Sequence, residues 1–192
     1  VTVTFTVNSS CEPSKTCSAS FSVANAPAVV LTCPINQTEV DCQTQAAIDA
    51  KFATWLATVS ASGGCNVSLS NNNNGAPSAC GGSKTVVFTA SSSCESPKTC
   101  SAVFSVTGSP VIILNCPINT TEVSCQSQSG IDDKFALWLG TASFTGGCNG
   151  VLTNNNSGAP DHCGGTASVT FTVTSDCEAP KTCVATFTVI DD

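Results

Sequence analysis

The chain of 192 residues contains no methionine, no tyrosine and no arginine, and a single histidine, His162. Each shortage excludes something. Without arginine, six lysines face thirteen acidic residues, and the resulting net charge of −7 repels phosphate backbones, so nucleic acid is a poor partner. With one imidazole, whose place one repeat earlier is taken by Ala79, no base is repeated that could serve a nucleophile. The candidate carboxylate pair Glu39 and Asp41 fails in the same way, because Asp41 becomes Ser124 in the next copy. These absences predict a protein that is not an enzyme. No apolar run approaches the roughly 20 residues needed to span a bilayer, and the opening VTVTFTV lacks the charged start of a signal peptide. Both ends read as cuts in a longer chain, with any export signal or anchor outside it.

Cysteine, by contrast, is abundant, and every copy obeys one period of 83 residues. Cys11 recurs as Cys94 and Cys177, and Cys17 as Cys100 and Cys183. Cys33, Cys42, Cys65 and Cys80 recur as Cys116, Cys125, Cys148 and Cys163. Metal knuckles need two to four residues between ligands, whereas the nearest pairs here have five, so disulfides in an oxidising compartment are expected and no cofactor is. Six cysteines per repeat suffice for three bridges with no thiol left over. The sequence favours a Cys94–Cys100 bridge and its repeats across the tip of a hairpin; the rival is Cys33–Cys100, joining first strand to last.

The period also sets the organisation. Apolar runs ending in Cys-Pro open a repeat at Val29-Val30-Leu31 and again at Val111 to Leu114, each after a short proline-containing linker. Complete repeats therefore span 27–107 and 110–190, and residues 1–25 form the closing hairpin of a preceding repeat. The linkers, about four residues with a φ-restricting proline, suggest restricted bending. Within a repeat, Val169, Phe171 and Val173 alternate with threonines from Ser168 to Thr174, and the alternation resumes at Ala185, Phe187 and Val189, which predicts a β-hairpin with one buried face. By phase alone, Cys177 and Cys183 fall on that face. One segment is helical in period: Ile48, Phe52, Trp55, Leu56 and Val59 predict a helix over Gln45 to Thr58 capped by Thr44, with a counterpart over Gln128 to Thr141 capped by Ser127. The fold class expected is mainly β, a disulfide-stapled sandwich repeat with one inserted helix.

The ends of a repeat, Leu31-Thr32-Cys33-Pro34 and Lys98-Thr99-Cys100-Ser101-Ala102-Val103-Phe104-Ser105-Val106, resemble hyalin-repeat (HYR-like) domains, which are immunoglobulin-like sandwiches. The helix-bearing repeat, with Glu-x-Pro-Lys-Thr between cysteines, is similar to the repeats of giant cell-surface adhesins of gliding Bacteroidetes, the SprB type. The resemblance implies type 9 secretion and display as a long extracellular filament at the bacterial cell surface, touching neighbouring repeats of its own chain and surface polysaccharide or a substratum. An alternative is a carbohydrate-binding array using Trp55 and Trp138 as stacking platforms. A calcium site at Glu39, Asn36 and Glu95 is the one cofactor worth testing, although nothing forms a D-x-D-x-D-G loop.

Overall fold

A computed structural model describes residues 1–191. Among the described residues, fourteen strands and two helices follow the period. The opening hairpin is β1 (Thr2–Val7) with β2 (Lys15–Ser20). The first complete copy runs β3 (Val30–Thr32), β4 (Gln37–Glu39), α1 (Gln45–Leu56), β5 (Ser60–Ser62), β6 (Ser68–Asn71), β7 (Gly82–Ser91) and β8 (Lys98–Val106). The second repeats that order as β9 (Ile113–Asn115), β10 (Thr120–Glu122), α2 (Gln128–Leu139), β11 (Ser143–Thr145), β12 (Val151–Asn154), β13 (Gly165–Thr174) and β14 (Lys181–Val189).

Each copy builds a pair of sheets. In the second, β9 pairs antiparallel with β11, and a four-stranded sheet is ordered β10-β14-β13-β12, with β10 parallel to β14. In the first, β3 pairs with β5 and the larger sheet is ordered β4-β8-β7-β6. The fold is mainly β, as the alternating pattern predicts.

Contacts divide the chain into two compact units. One comprises residues 1–33, 59–71 and 88–100; the other comprises 34–58, 72–87 and 101–191 of the described chain. The first holds the opening hairpin, the β3–β5 pair and the β6 pairing with the end of β7. The second holds both helices and the whole second copy.

The core of the second unit shows how the pattern becomes packing. Ile131, Phe135 and Trp138 of α2 lie on Val169 and Phe171 of β13 and on Ala185, Phe187 and Val189 of β14, all buried. Phe135 meets Phe187 edge-on at 5.4 Å between ring centroids, and Trp138 meets Phe171 at 6.0 Å, geometries that suit the quadrupoles of the rings. Helix α1 repeats this with Ile48, Phe52 and Trp55 buried and Phe52 edge-on to Phe104 at 5.2 Å.

The helices start where their caps place them. The Thr44 side chain accepts from the Ala47 amide and Ser127 from Gly130, satisfying donors that a first turn leaves open. They end two residues earlier than their periodicity suggests, because Thr58 and Thr141 turn their hydroxyls back onto the carbonyls of Trp55 and Trp138. The tryptophans, not Leu56 and Leu139, take the fully buried place on the helical face; both leucines are half-buried.

Candidate functional site

Among the described residues, five disulfides join ten cysteines. Cys33–Cys100 and Cys116–Cys183 are equivalent bridges, one per copy, tying the end of the first strand to the last. Cys65–Cys94 closes a third. The remaining two cross from one period to the next: Cys42 bonds to Cys148, and Cys80 to Cys177.

This corrects the hairpin-tip expectation. In the closing hairpin Cys183 lies opposite Phe171, and the paired residues end with Val173 opposite Lys181. Cys177 therefore sits beyond the strand, in a bend where the alternation that places side chains on the core face no longer applies. Cys94 likewise pairs with Cys65 and Cys100 with Cys33, so the rival pairing is the one present. The expectation that a complete repeat keeps no thiol also fails, since Cys163 is an exposed thiol, as are Cys11 and Cys17 in the opening hairpin.

The two crossing bridges sit at a joint built by the backbone. Cys42 has a left-handed φ of 58°, uncommon for a residue with a Cβ, and it stands just after β4. Its sulfur lies 4.0 Å from the carbonyl oxygen of Gly147. Cys80 is held by the Ser78 hydroxyl, which accepts from its amide at 3.1 Å, and its sulfur lies 3.8 Å from the Asp176 carbonyl oxygen. The linker is fastened along the same line. The Thr107 amide donates to the Glu39 carbonyl (2.9 Å), the Asp41 amide to the Thr107 hydroxyl (2.8 Å), the Ser109 amide to the Cys80 carbonyl (3.2 Å) and the Gly147 amide to the Pro110 carbonyl (2.8 Å).

Two glycines are required by closeness. A Cβ on Gly81, whose φ is 120°, would lie 2.8 Å from the Gly108 Cα, and one on Gly146 would lie 2.0 Å from the Val111 carbonyl oxygen. The linker is thus hydrogen-bonded, packed and covalently bridged on both sides. Cys148 is only 1% exposed as a result, and Cys177 is half-buried.

The other candidate residues are occupied by ordinary structural roles. Trp55 and Trp138 are 2% and 6% exposed and donate their indole N–H to the carbonyls of Ile35 and Ile118, both at 2.7 Å. Neither offers a face for a sugar. Glu39 accepts from Lys51 (2.5 Å) and Gln37 (2.7 Å), which hold its carboxyl below the usual range; Lys134 does the same for Glu122. Asn36 accepts from the Val103 amide at 2.9 Å. Glu95 accepts from the Val29 amide, the main cause of its lowered pKa, and pairs with Lys98. The oxygens proposed for calcium are thereby already bound by fixed donors.

His162 is half-buried. Its Nδ1 lies 3.3 Å from Gln128 Oε1 and 3.4 Å from Asp161 Oδ1, while Nε2 lies 3.4 Å from Cys163 Sγ. Asp161, His162 and Cys163 bring three potential metal-ligating atoms together, and on paper they also form a Cys-His-Asp relay. A nucleophilic thiol needs its pKa depressed. Packing around Cys163, and then the Asp161 carboxylate, push its pKa upward, the direction opposite to that of an activated thiol. The sequence offered a signal for the joint in the common period of all the cysteines, but not for which period supplies each partner.

No family model and no curated protein matches the sequence. Among solved structures the chain is similar to Drosophila N-cadherin EC1-4, at 12% identity and a TM-score of 0.34, over 94% of this chain and 52% of that one. It is similar also to PcdhgB3 EC1-4, again at 12% identity and 0.34, over 94% and 55%, and to protocadherin gamma B2 extracellular cadherin domains 3-6, at 9% and 0.33, over 100% and 56%. The chain spans about half the length of these structures, and at such identities and TM-scores nothing of their roles is carried over.

Proposed function

We propose that the chain is a structural and adhesive repeat segment of a large secreted filament, and that it performs no catalysis. The observation that carries this reading is the pair of bridges from one period into the next, Cys42–Cys148 and Cys80–Cys177, set beside one internal bridge per copy at Cys33–Cys100 and Cys116–Cys183. A protein whose task is a pocket gains nothing from locking successive repeats together. A stalk under tension does. Five disulfides fit an oxidising, extracellular setting, and no helix among the described residues is long and apolar enough to cross a membrane.

The neutral polar coat of serine, threonine and asparagine suits many weak contacts made in parallel, with surface polysaccharide or a substratum as the partner. The finer form of the proposal is a gliding-type adhesin at a bacterial surface, exported by type 9 secretion; it rests on the resemblance carried by the helix-bearing repeat with Glu95-Ser96-Pro97-Lys98-Thr99 between Cys94 and Cys100.

The mechanical part is tested by pulling the chain from its ends. With bridges intact, the covalent path from Cys33 to Cys183 runs through Cys100 and Cys116, so only the sixteen peptide steps between those two can straighten. That is about 55 Å at full stretch, against roughly 500 Å for the reduced chain. Equal lengthening before and after reduction would remove the stalk reading.

A further inference from the structure

The second copy carries the parts of the joint again, at its other end. Cys125 stands where Cys42 stands, exposed, after β10 as Cys42 follows β4, and with the same left-handed backbone, φ 61° against 58°. Cys163 stands where Cys80 stands. Its amide is held by the Asp161 side chain at 2.8 Å, as that of Cys80 is held by Ser78, and two glycines with positive φ follow it in both places. The Ile190 amide donates to the Glu122 carbonyl at 3.0 Å, matching the Thr107 to Glu39 bond at the completed joint. Ser124, Cys125, Gln126, His162, Cys163 and Asp191 line an open depression of about 470 Å³ around this exposed thiol.

We propose that this face is the covalent docking site for a further copy of the same 83-residue unit, and that Cys163 bonds to that copy's counterpart of Cys177. The independent support lies inside the molecule, because the equivalent residue one period earlier, Cys80, makes this bond to Cys177 in the same local geometry. The partner side is legible as well. Cys148 and Cys177 are drawn into the joint, while their equivalents Cys65 and Cys94 bond to each other.

Bond formation joins two sulfurs and releases two protons and two electrons, which pass to a low-molecular-weight disulfide that is reduced to two thiols. The inference extends the proposed stalk from one joint to a series and rests on the crossing bridges that carry that reading; peptide mapping reads each bond separately, so absence of those bridges and absence of the further one are told apart.

The test has two steps, both read by non-reducing peptide mapping after folding in a glutathione redox buffer. In the chain as it is, Cys80 should map to Cys177 and Cys42 to Cys148, with Cys163 open to alkylation; finding Cys148 bonded to Cys177 would overturn the inference at once. In the chain extended by a second copy of residues 110–190, Cys163 should lose its alkylation and map to the added copy's equivalent of Cys177. Cys163→Ser should abolish that crosslink alone. If Cys163 stays reactive while the added copy pairs its own equivalents of Cys148 and Cys177, the proposal is wrong.

Discussion

Cys65 and Cys148 occupy the same position of the period, follow the same Gly-Gly and precede an asparagine with the same left-handed backbone, φ 52° and 54°. They nevertheless end in different bonds. Cys65 reaches 29 residues along the chain to Cys94, and Cys148 reaches back 106 residues to Cys42. The local sequence places each sulfur alike, and the partner differs between the two copies. Burial follows the choice, since Cys65 remains half-buried while Cys148 is enclosed.

The strongest way to break this comparison is to remove the joint from one side. Cys42→Ser with Cys80→Ser should make Cys148 pair with Cys177, copying the Cys65–Cys94 pattern, as peptide mapping would read. Each lost bridge closes a loop of about 100 residues, worth about 4.7 kcal/mol by chain entropy, and the new short loop returns about 3.5 kcal/mol. The net loss of stability against denaturant should thus be at most about 6 kcal/mol. If Cys148 and Cys177 remain thiols, the pairing is fixed by their own surroundings and not by the neighbour.

A smaller effect separates what the two copies share from what they do not. Phe52 and Phe135 pack equivalently against Phe104 and Phe187, so Phe52→Ala and Phe135→Ala should each cost about 3 to 5 kcal/mol in denaturant unfolding. A near-neutral result in either copy would make that helix an ornament of the surface.

The smallest effect is electrostatic. Glu39 and Glu122 have folded pKa values below the ordinary carboxylate range, chiefly through Lys51 and Lys134. Such groups contribute stability above the unfolded pKa and lose it as pH falls through the folded value. Lys51→Met should flatten the acid limb of the stability curve, by no more than about 1 kcal/mol since the lysine is 43% exposed, and Lys134→Met should do the same. Unequal slopes would show that the two copies differ here too.

What could be read from the sequence was local. The helix announced itself through Ile48 and Phe52 one turn apart and through the Thr44 cap, and the strand phase of Val169, Phe171 and Val173 gave the buried face of the closing hairpin. Both rest on neighbours a few residues apart. The bridges rest on segments 97 or 106 residues apart meeting in register, and no period within one repeat encodes that. The burial of Trp55 was only half legible. Its place in the helical stripe left a sugar-stacking platform open as an alternative, whereas the hydrogen bond from its indole to Ile35 lets the whole ring turn inward.

The two crossing bridges also decide what a protease can achieve. With the internal bridges alone, the stretch from Cys100 to Cys116 would be a single thread, and one cut there would part the two copies. Cys42–Cys148 and Cys80–Cys177 both span that thread. Every peptide bond between Cys33 and Cys183 is then enclosed by at least one ring, so a single nick anywhere along those 150 steps leaves the fragments joined. A chain bridged this way can be wounded without being severed.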